Sequence, residues 1–242
     1  MNAFLAELIG TAILVLLGDG VVANVALKQS KGQGGGWIVV TAGWACAVTI
    51  AIYCVNSFSG AHLNPAVTVG LMVIGKFDPA LAPGYLGAQL LGGMLGAALV
   101  WLAYLPHWKA TEDPATKRGV FCTAPAIRHA PANFLCEAIG TGVLVFGVLS
   151  ITTPANLQPA TGWASGFAPL LVGVLVWALG LSLGGPTGYA INPARDLGPR
   201  LAHALLPIAG KGDGDWGYAW VPVVGPLIGG VVGAVIWKAL AA

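Results

Sequence analysis

Long intervals of this chain carry no ionisable charge. No Asp, Glu, Lys or Arg occurs between Lys31 and Lys76, between Asp78 and Lys109, or between Glu137 and Arg195. Each interval exceeds the roughly 20 apolar residues that take a helix across a bilayer. The composition agrees, with 57% of residues hydrophobic and 8% charged, where a soluble domain carries about 25% charged residues. So little charge cannot cover a water-facing surface, which excludes a soluble enzyme, a nucleic-acid binder and a disordered chain. A formal net charge of +2 asks for no polyanionic partner. The chain reads as an integral membrane protein.

Hydropathy predicts spans near 3–27, 37–57, 80–105, 132–152, 162–182 and 217–240, with polar or Gly/Pro-rich joints at 28–36, 106–131 and 153–160. Glu7 interrupts the first apolar stretch and no basic segment precedes it, so that stretch reads as a span rather than a cleaved leader. The longest joint holds Lys109, Glu112, Asp113, Lys117, Arg118 and Arg128. It divides the chain into a first half (1–110), a connecting loop (111–131) and a second half (132–242). Cys46, Cys54, Cys122 and Cys136 form no C-x-x-C pair and read as free packing thiols, with no metal-ligand spacing.

The halves repeat. Glu7-Leu-Ile-Gly-Thr11 is matched by Glu137-Ala-Ile-Gly-Thr141. Asn64-Pro65-Ala66 is matched by Asn192-Pro193-Ala194. The Gly-Gly-x-x-Gly-Ala phrase that starts at Gly92 returns at Gly229. Three phrases in one order indicate a duplicated unit. Each unit has three spans, an odd number, so the second unit starts from the opposite face. Such an inverted repeat places its functional site near the midplane, where the halves meet. Gly92/Gly96 and Gly229/Gly233 have the spacing of close helix–helix contacts.

Each Asn-Pro-Ala opens a helical stretch too short to span. Pro65 to Gly75 reaches roughly 16 Å at 1.5 Å per residue, half of a hydrocarbon core roughly 30 Å thick; Pro193 to about Leu206 is similar. Asn is a favoured N-cap, and Pro suits the first helical position because it has no N–H to satisfy. Two such starts entering from opposite faces bring two positive dipole ends together near the bilayer centre, a barrier to cations and protons. The Asn64 and Asn192 amides can offer N–H to a passing oxygen. The non-helical backbone before them, 59–63 and 184–191, is tolerated at that depth where it is buried in protein or lines a wet path. Its carbonyls are candidate acceptors: Gly60, Ala61 and His62 in the first half, Thr187, Gly188 and Tyr189 in the second.

These residues resemble the major intrinsic protein family, the aquaporins and glycerol facilitators. The phrases that carry the resemblance run from Ser59 to Thr68 (Ser-Gly-Ala-His-Leu-Asn-Pro-Ala-Val-Thr) and from Gly188 to Arg200 (Gly-Tyr-Ala-Ile-Asn-Pro-Ala-Arg-Asp-Leu-Gly-Pro-Arg). The match is greatest to the bacterial glycerol-facilitator branch. The resemblance implies an all-α membrane fold of six tilted spans plus two re-entrant half-helices, one pore per subunit, a homotetramer in the cell membrane, and cytoplasmic termini. It also implies a selectivity filter of Trp44, Gly180, Tyr189 and Arg195. In water-selective members the Gly180 position is typically His, so its loss widens the slot. Trp44 and Tyr189 form an apolar corner and Arg195 donates to hydroxyls from the other side. Asp196, Arg200 and Pro222 follow the polyol-conducting pattern, whereas Tyr189 stands where the best-known facilitators have Phe.

The implied function is passive passage of glycerol, water and other small uncharged solutes, with no cofactor and no catalysis. A neutral metabolite such as protonated lactic acid is the alternative solute. A proton-coupled transporter using Glu7 and Glu137 is the rival class, since inverted repeats and broken helices permit it too. The other reading of those carboxylates is that they accept N–H bonds and pin the re-entrant loops, as the family implies. Arg195 is an intramembrane charge and functional by default; as a structural ion pair it has Asp196 as the nearby candidate. His62 reads as a packed neutral ring whose carbonyl faces the pore. Trp101, Trp108, Trp216, Trp220 and Trp237 read as interface anchors, but Trp44 lies mid-span and does not.

Overall fold

The computed structural model describes residues 1–153 and 163–241, and the regular structure among them is entirely helical. In chain order the helices are α1 (Ala3–Ala26), α2 (Trp37–Ser59), α3 (Pro65–Val73), α4 (Ala82–Ala103), α5 (Leu105–Ala110), α6 (Pro114–Phe121), α7 (Ala130–Ile151), α8 (Trp163–Leu183), α9 (Pro193–Leu205) and α10 (Val221–Ala241). A 3₁₀ turn, Pro79–Leu81, leads into α4. Among the described residues six helices are long and apolar enough to cross a membrane. They match the six predicted spans; most of the predicted 153–160 joint and the first residue of the predicted 162–182 span lie outside the described residues.

Local chemistry sets the ends. The Asn2 side chain caps α1 by accepting from the Phe4 N–H, and His129 Nδ1 caps α7 by accepting from the Ala132 N–H. Helix α3 stops at Val73 because Gly75 turns left-handed (φ 77°). There the Lys76 N–H reaches back to the Leu71 carbonyl at 2.9 Å, a glycine-terminated C-cap. The predicted span 80–105 is cut at Ala103, since Pro106 starts α5 as a separate short helix. Nor is the 111–131 connection irregular throughout. Asp113 caps α6 with Pro114 in its first turn, and α7 already begins at Ala130. Trp108 is a further correction. It is 2% exposed rather than interfacial, because α5 folds it against Phe121 of α6, with ring centroids 5.3 Å apart.

The packing repeats between the halves. Helix α1 packs on α2 and α4, α7 packs on α8 and α10, and α2 meets α8. Both α1–α4 and α7–α10 close through glycine. A Cβ on Gly92 or Gly96 would lie 2.4 or 2.6 Å from the Leu8 or Ala12 carbonyl oxygen, and one on Gly229 or Gly233 would lie 2.0 or 2.2 Å from that of Ala138 or Gly142. The half-helices cross over: α3 seats on α10 of the second half and α9 on α4 of the first. Glycine makes these contacts as well, since a Cβ on Gly230 would stand 2.8 Å from the Ala66 carbonyl oxygen and one on Gly93 2.5 Å from that of Ala194. Each re-entrant tip is therefore held by the opposite half. Exposed Leu17, Ile38, Leu91, Ile139, Val174 and Val232 cover the outside of the bundle, as lipid contact requires. By contrast Arg195, Asp196, Arg200 and His203 on α9 are buried.

Candidate functional site

Asn64 and Asn192 are both N-caps in extended backbone conformation, each followed by Pro at the first helical position. Asn64 Oδ1 accepts from the Ala66 N–H at 2.9 Å. Asn192 Oδ1 accepts from the Ala194 and Arg195 N–H groups at 3.0 and 3.2 Å. Their amide nitrogens then cross the interface. Asn64 Nδ2 donates to the Ile191 carbonyl and Asn192 Nδ2 to the Leu63 carbonyl, both at 2.8 Å. A carboxamide has two N–H donors, so each asparagine keeps one beyond its crosswise bond.

The two loops that deliver these asparagines share a backbone pattern. Gly60, Ala61 and Leu63 have φ of 79°, 48° and 51°; Gly188, Tyr189 and Ile191 have 82°, 39° and 42°. Left-handed non-glycine residues cost roughly 1–3 kcal/mol each and persist where their surroundings over-determine them. Here buried carboxylates hold them. Glu7 Oε1 accepts from Ser59 Oγ at 2.6 Å and the His62 N–H at 2.9 Å, while Oε2 accepts from the Leu63 N–H at 2.7 Å and Gln89 Nε2 at 2.8 Å. Glu137 accepts from the Ala190 and Ile191 N–H groups at 3.0 and 2.8 Å. Both carboxylates therefore act on backbone donors that would otherwise be orphaned in an apolar setting.

A cavity of about 150 Å³ runs beside the crossed tips. On α2 it is lined by Trp44, Val48, Ile52 and Asn56, one residue per turn. Leu14, Leu144, Val148, Val172 and Val176 extend the apolar wall. Gly60, Ala61, His62, Leu63, Asn64, Tyr189, Ala190, Ile191, Asn192 and Arg195 form the polar edge. Rows of i, i+4 residues face one way on a helix, so the four α2 positions cover roughly 18 Å of wall. Pro65, Ala66, Pro193 and Ala194 form the first turns behind the tips.

Some expected residues stand elsewhere. Thr187 and Gly188 do not line this cavity, and Thr187 Oγ1 turns to Cys136 Sγ at 3.7 Å. Gly180 does not line it either. The place of its missing side chain is filled by the Tyr189 ring, with Cζ 2.8 Å from where a Cβ would be and Thr41 Cγ2 at 2.9 Å. Trp37 backs the same spot, donating Nε1–H to the Gly180 carbonyl at 2.9 Å. Arg195 stands against the Trp44 side of the aromatic corner. Its guanidinium carbon lies 4.1 Å over the Trp44 ring, too close for a solute between them and in the range of a cation–π contact. His62 borders the cavity, its ring Nδ1 3.0 Å from Thr68 Oγ1 and its ring T-shaped to Phe77 with centroids 4.7 Å apart.

The acid beside Arg195 is also not the expected one. Asp196 points away and binds Arg200 Nη2 at 2.8 Å and Nε at 2.9 Å, and the Thr123 N–H and Oγ at 2.7 Å. It ties the 106–131 connection to α9. The acid facing Arg195 is Asp19 on α1, 3.6 Å from Nη1 and fully buried. Sequence reasoning missed it, although Asp19 was visible as an acid in the middle of the first span.

The family model of the major intrinsic proteins matches residues 1–237. A probable glycerol uptake facilitator protein of Thermotoga maritima is 59% identical over 98% of this chain and 99% of its own length. The glycerol uptake facilitator protein of Bacillus subtilis is 54% identical over 99% of this chain and 85% of its own. The crystal structure of the aquaglyceroporin from Plasmodium falciparum superposes with a TM-score of 0.87 at 31% identity, covering 99% of this chain and 96% of that one. With six membrane-crossing helices and two crossed Asn-Pro-Ala tips, this chain belongs to the major intrinsic protein family.

Proposed function

We propose that this multi-pass membrane protein is a passive channel for glycerol and other small uncharged solutes including water, closed to ions and protons. The observation that carries the reading is the pair of half-helix tips cross-bonded through Asn64 and Asn192, each with an N–H in reserve beside an otherwise apolar wall. A polyol presents hydroxyls along one edge and carbon along the other. Such a wall meets both needs, with amide N–H and loop carbonyls on one side and Val48, Ile52 and Val176 on the other. Two helix N-termini at one point, each worth roughly half a positive charge, oppose a cation or proton. The relatives named as glycerol facilitators support glycerol as the solute.

In this reading Trp44, Tyr189 and Arg195 are the narrow filter, and Gly180 shapes it by giving the Tyr189 ring its place. Glu7 and Glu137 pin loops; their oxygens are occupied by N–H and O–H donors, which supports a structural role over a proton relay. The protein is a homotetramer in the cell membrane with cytoplasmic termini. That orientation puts Lys109, Lys117, Arg118 and Arg128 outside, against the positive-inside tendency. Cysteine labelling of the 106–131 connection in intact cells tests it: labelling from outside supports it, and labelling from inside alone reverses it.

The test of function is light scattering from reconstituted vesicles challenged in parallel with glycerol, water, urea and lactic acid. Downhill glycerol flux indifferent to an uncoupler is expected. Concentrative uptake that an uncoupler abolishes would establish a coupled transporter, and flux of lactic acid alone would change the solute.

A further inference from the structure

Asp19 has a place in the site that the channel reading does not use. It is fully buried on α1, and neither carboxylate oxygen has a hydrogen-bond partner among the described residues. Arg195 Nη1 is likewise unpartnered, and the two groups face each other at 3.6 Å. That is an ion pair beyond hydrogen-bond distance. Its surroundings are built for closeness. Gly18, the residue before Asp19, has no side chain because the Trp44 ring lies there, 2.2 Å from where a Cβ would be. The same ring carries the Arg195 guanidinium on its face at 4.1 Å. Asp19 does not line the cavity, whereas Trp44 and Arg195 do. Gly18, Trp44, Arg195 and Asp19 thus form one packed unit with the acid at its back.

We infer that Asp19 is a positioning and charge-balancing residue of the filter, the counter-ion that holds Arg195 against Trp44 and cancels its charge toward the pore. The physical need is plain. The two half-helix tips already make this region positive, and an uncompensated guanidinium beside them would retain small anions. With Asp19 behind it, Arg195 offers directed N–H donors while the filter stays close to neutral. The specificity that follows is for neutral solutes over the anions of small carboxylic acids. This rests on the channel reading.

The experiment uses the full-length protein in vesicles, comparing Asp19→Asn with the parent for water flux, glycerol flux and inhibition of glycerol flux by lactate at pH 7.5. Asn keeps the volume and removes the charge. The expected result is inhibition at lactate concentrations lower by about threefold or more, with a lower glycerol-to-water ratio, as charge imbalance at a recognition site predicts. In an Arg195→Ala background Asp19→Asn should then change both quantities much less, because no guanidinium is left to hold an anion; an undiminished effect would mean that the acid does not act through the arginine and overturns the inference. A folded, water-conducting Asp19→Asn with parental ratio and parental lactate inhibition overturns the inference while leaving the channel intact. A parent that passes no glycerol fails the channel reading instead. If Asp19→Asn does not fold, Asp19→Asn/Arg195→Met decides: recovery of folding supports the pair, since lone buried charges are the costly state, and continued failure gives Asp19 a folding role independent of Arg195 and refutes it.

Discussion

Asn64 and Asn192 are bonded crosswise, each amide donating at 2.8 Å to the carbonyl of the residue that precedes the other, Ile191 and Leu63. The bond is symmetric although the residues come from different halves, and it closes the inverted repeat at its centre. Each side-chain oxygen is committed to its own helix and one N–H to the opposite loop. In the channel reading a solute meets the remaining N–H, on an amide fixed by its other side-chain contacts, two at Asn64 and three at Asn192.

Asn192→Ala should therefore cost stability as well as flux. Losing an N-cap costs about 0.5–2 kcal/mol, and the crosswise bond adds about 0.5–1.5 kcal/mol while leaving the Leu63 carbonyl short of a partner. Thermal unfolding in detergent should show a clear drop, with glycerol flux falling in vesicles. An alanine variant as stable as the parent would mean that the crosswise bond contributes nothing.

Gly180→Ala is a small change with a directed consequence. Its Cβ would stand 2.8 Å from Tyr189 Cζ and 2.9 Å from Thr41 Cγ2, closer than packed atoms come, so the ring must move. Tyr189 lines the cavity, and displacement into it narrows the slot for a carbon skeleton before it blocks a water. Glycerol flux should fall more than water flux, further in Gly180→His, and Gly180→Ala/Tyr189→Leu should recover part of the loss. Equal loss of both fluxes would place Gly180 outside the filter.

The spans and the half-helices were legible because each has a local cause. Charge-free length marks a span, and Asn-Pro before a short apolar run marks a capped helix start. Helices α5 and α6 are short and partly charged; α6 does carry a capped start at Asp113-Pro114, but no apolar run follows it to mark a helix. What side chains do across the bundle was hidden further. That the Tyr189 ring fills the gap at Gly180 cannot be read from a residue that has no side chain. The partner of Arg195 was sought next door at Asp196, but that carboxylate pairs one helical turn on with Arg200, a spacing helix geometry favours. Asp19 reaches Arg195 only because α1 passes behind α9 in the folded bundle.

Glu137→Gln and Glu7→Gln separate pinning from proton relay. A hydrogen bond to a charged group contributes about 1.5–3 kcal/mol, and each carboxylate holds left-handed backbone in place. Either variant should lower the unfolding temperature. Whatever protein folds should pass glycerol downhill, with no change in its indifference to an uncoupler. A stable Gln variant that has lost transport would support a relay.

Tyr189→Phe tests whether the hydroxyl, at the position where the resemblance to the best-known facilitators implies Phe, reads the solute. The oxygen is buried and has no hydrogen-bond partner among the described residues, and the end of the ring that carries it lies beside Gly180 and Thr41. A buried unpaired hydroxyl costs about 1–3 kcal/mol of desolvation, so Phe should raise the unfolding temperature. Tyr189 lines the cavity, the substitution leaves its ring in place, and the glycerol-to-water ratio should stay at the parental value. A ratio that shifts while stability does not would place the hydroxyl on the solute path, making Tyr189 a hydrogen-bonding part of the filter rather than an apolar wall.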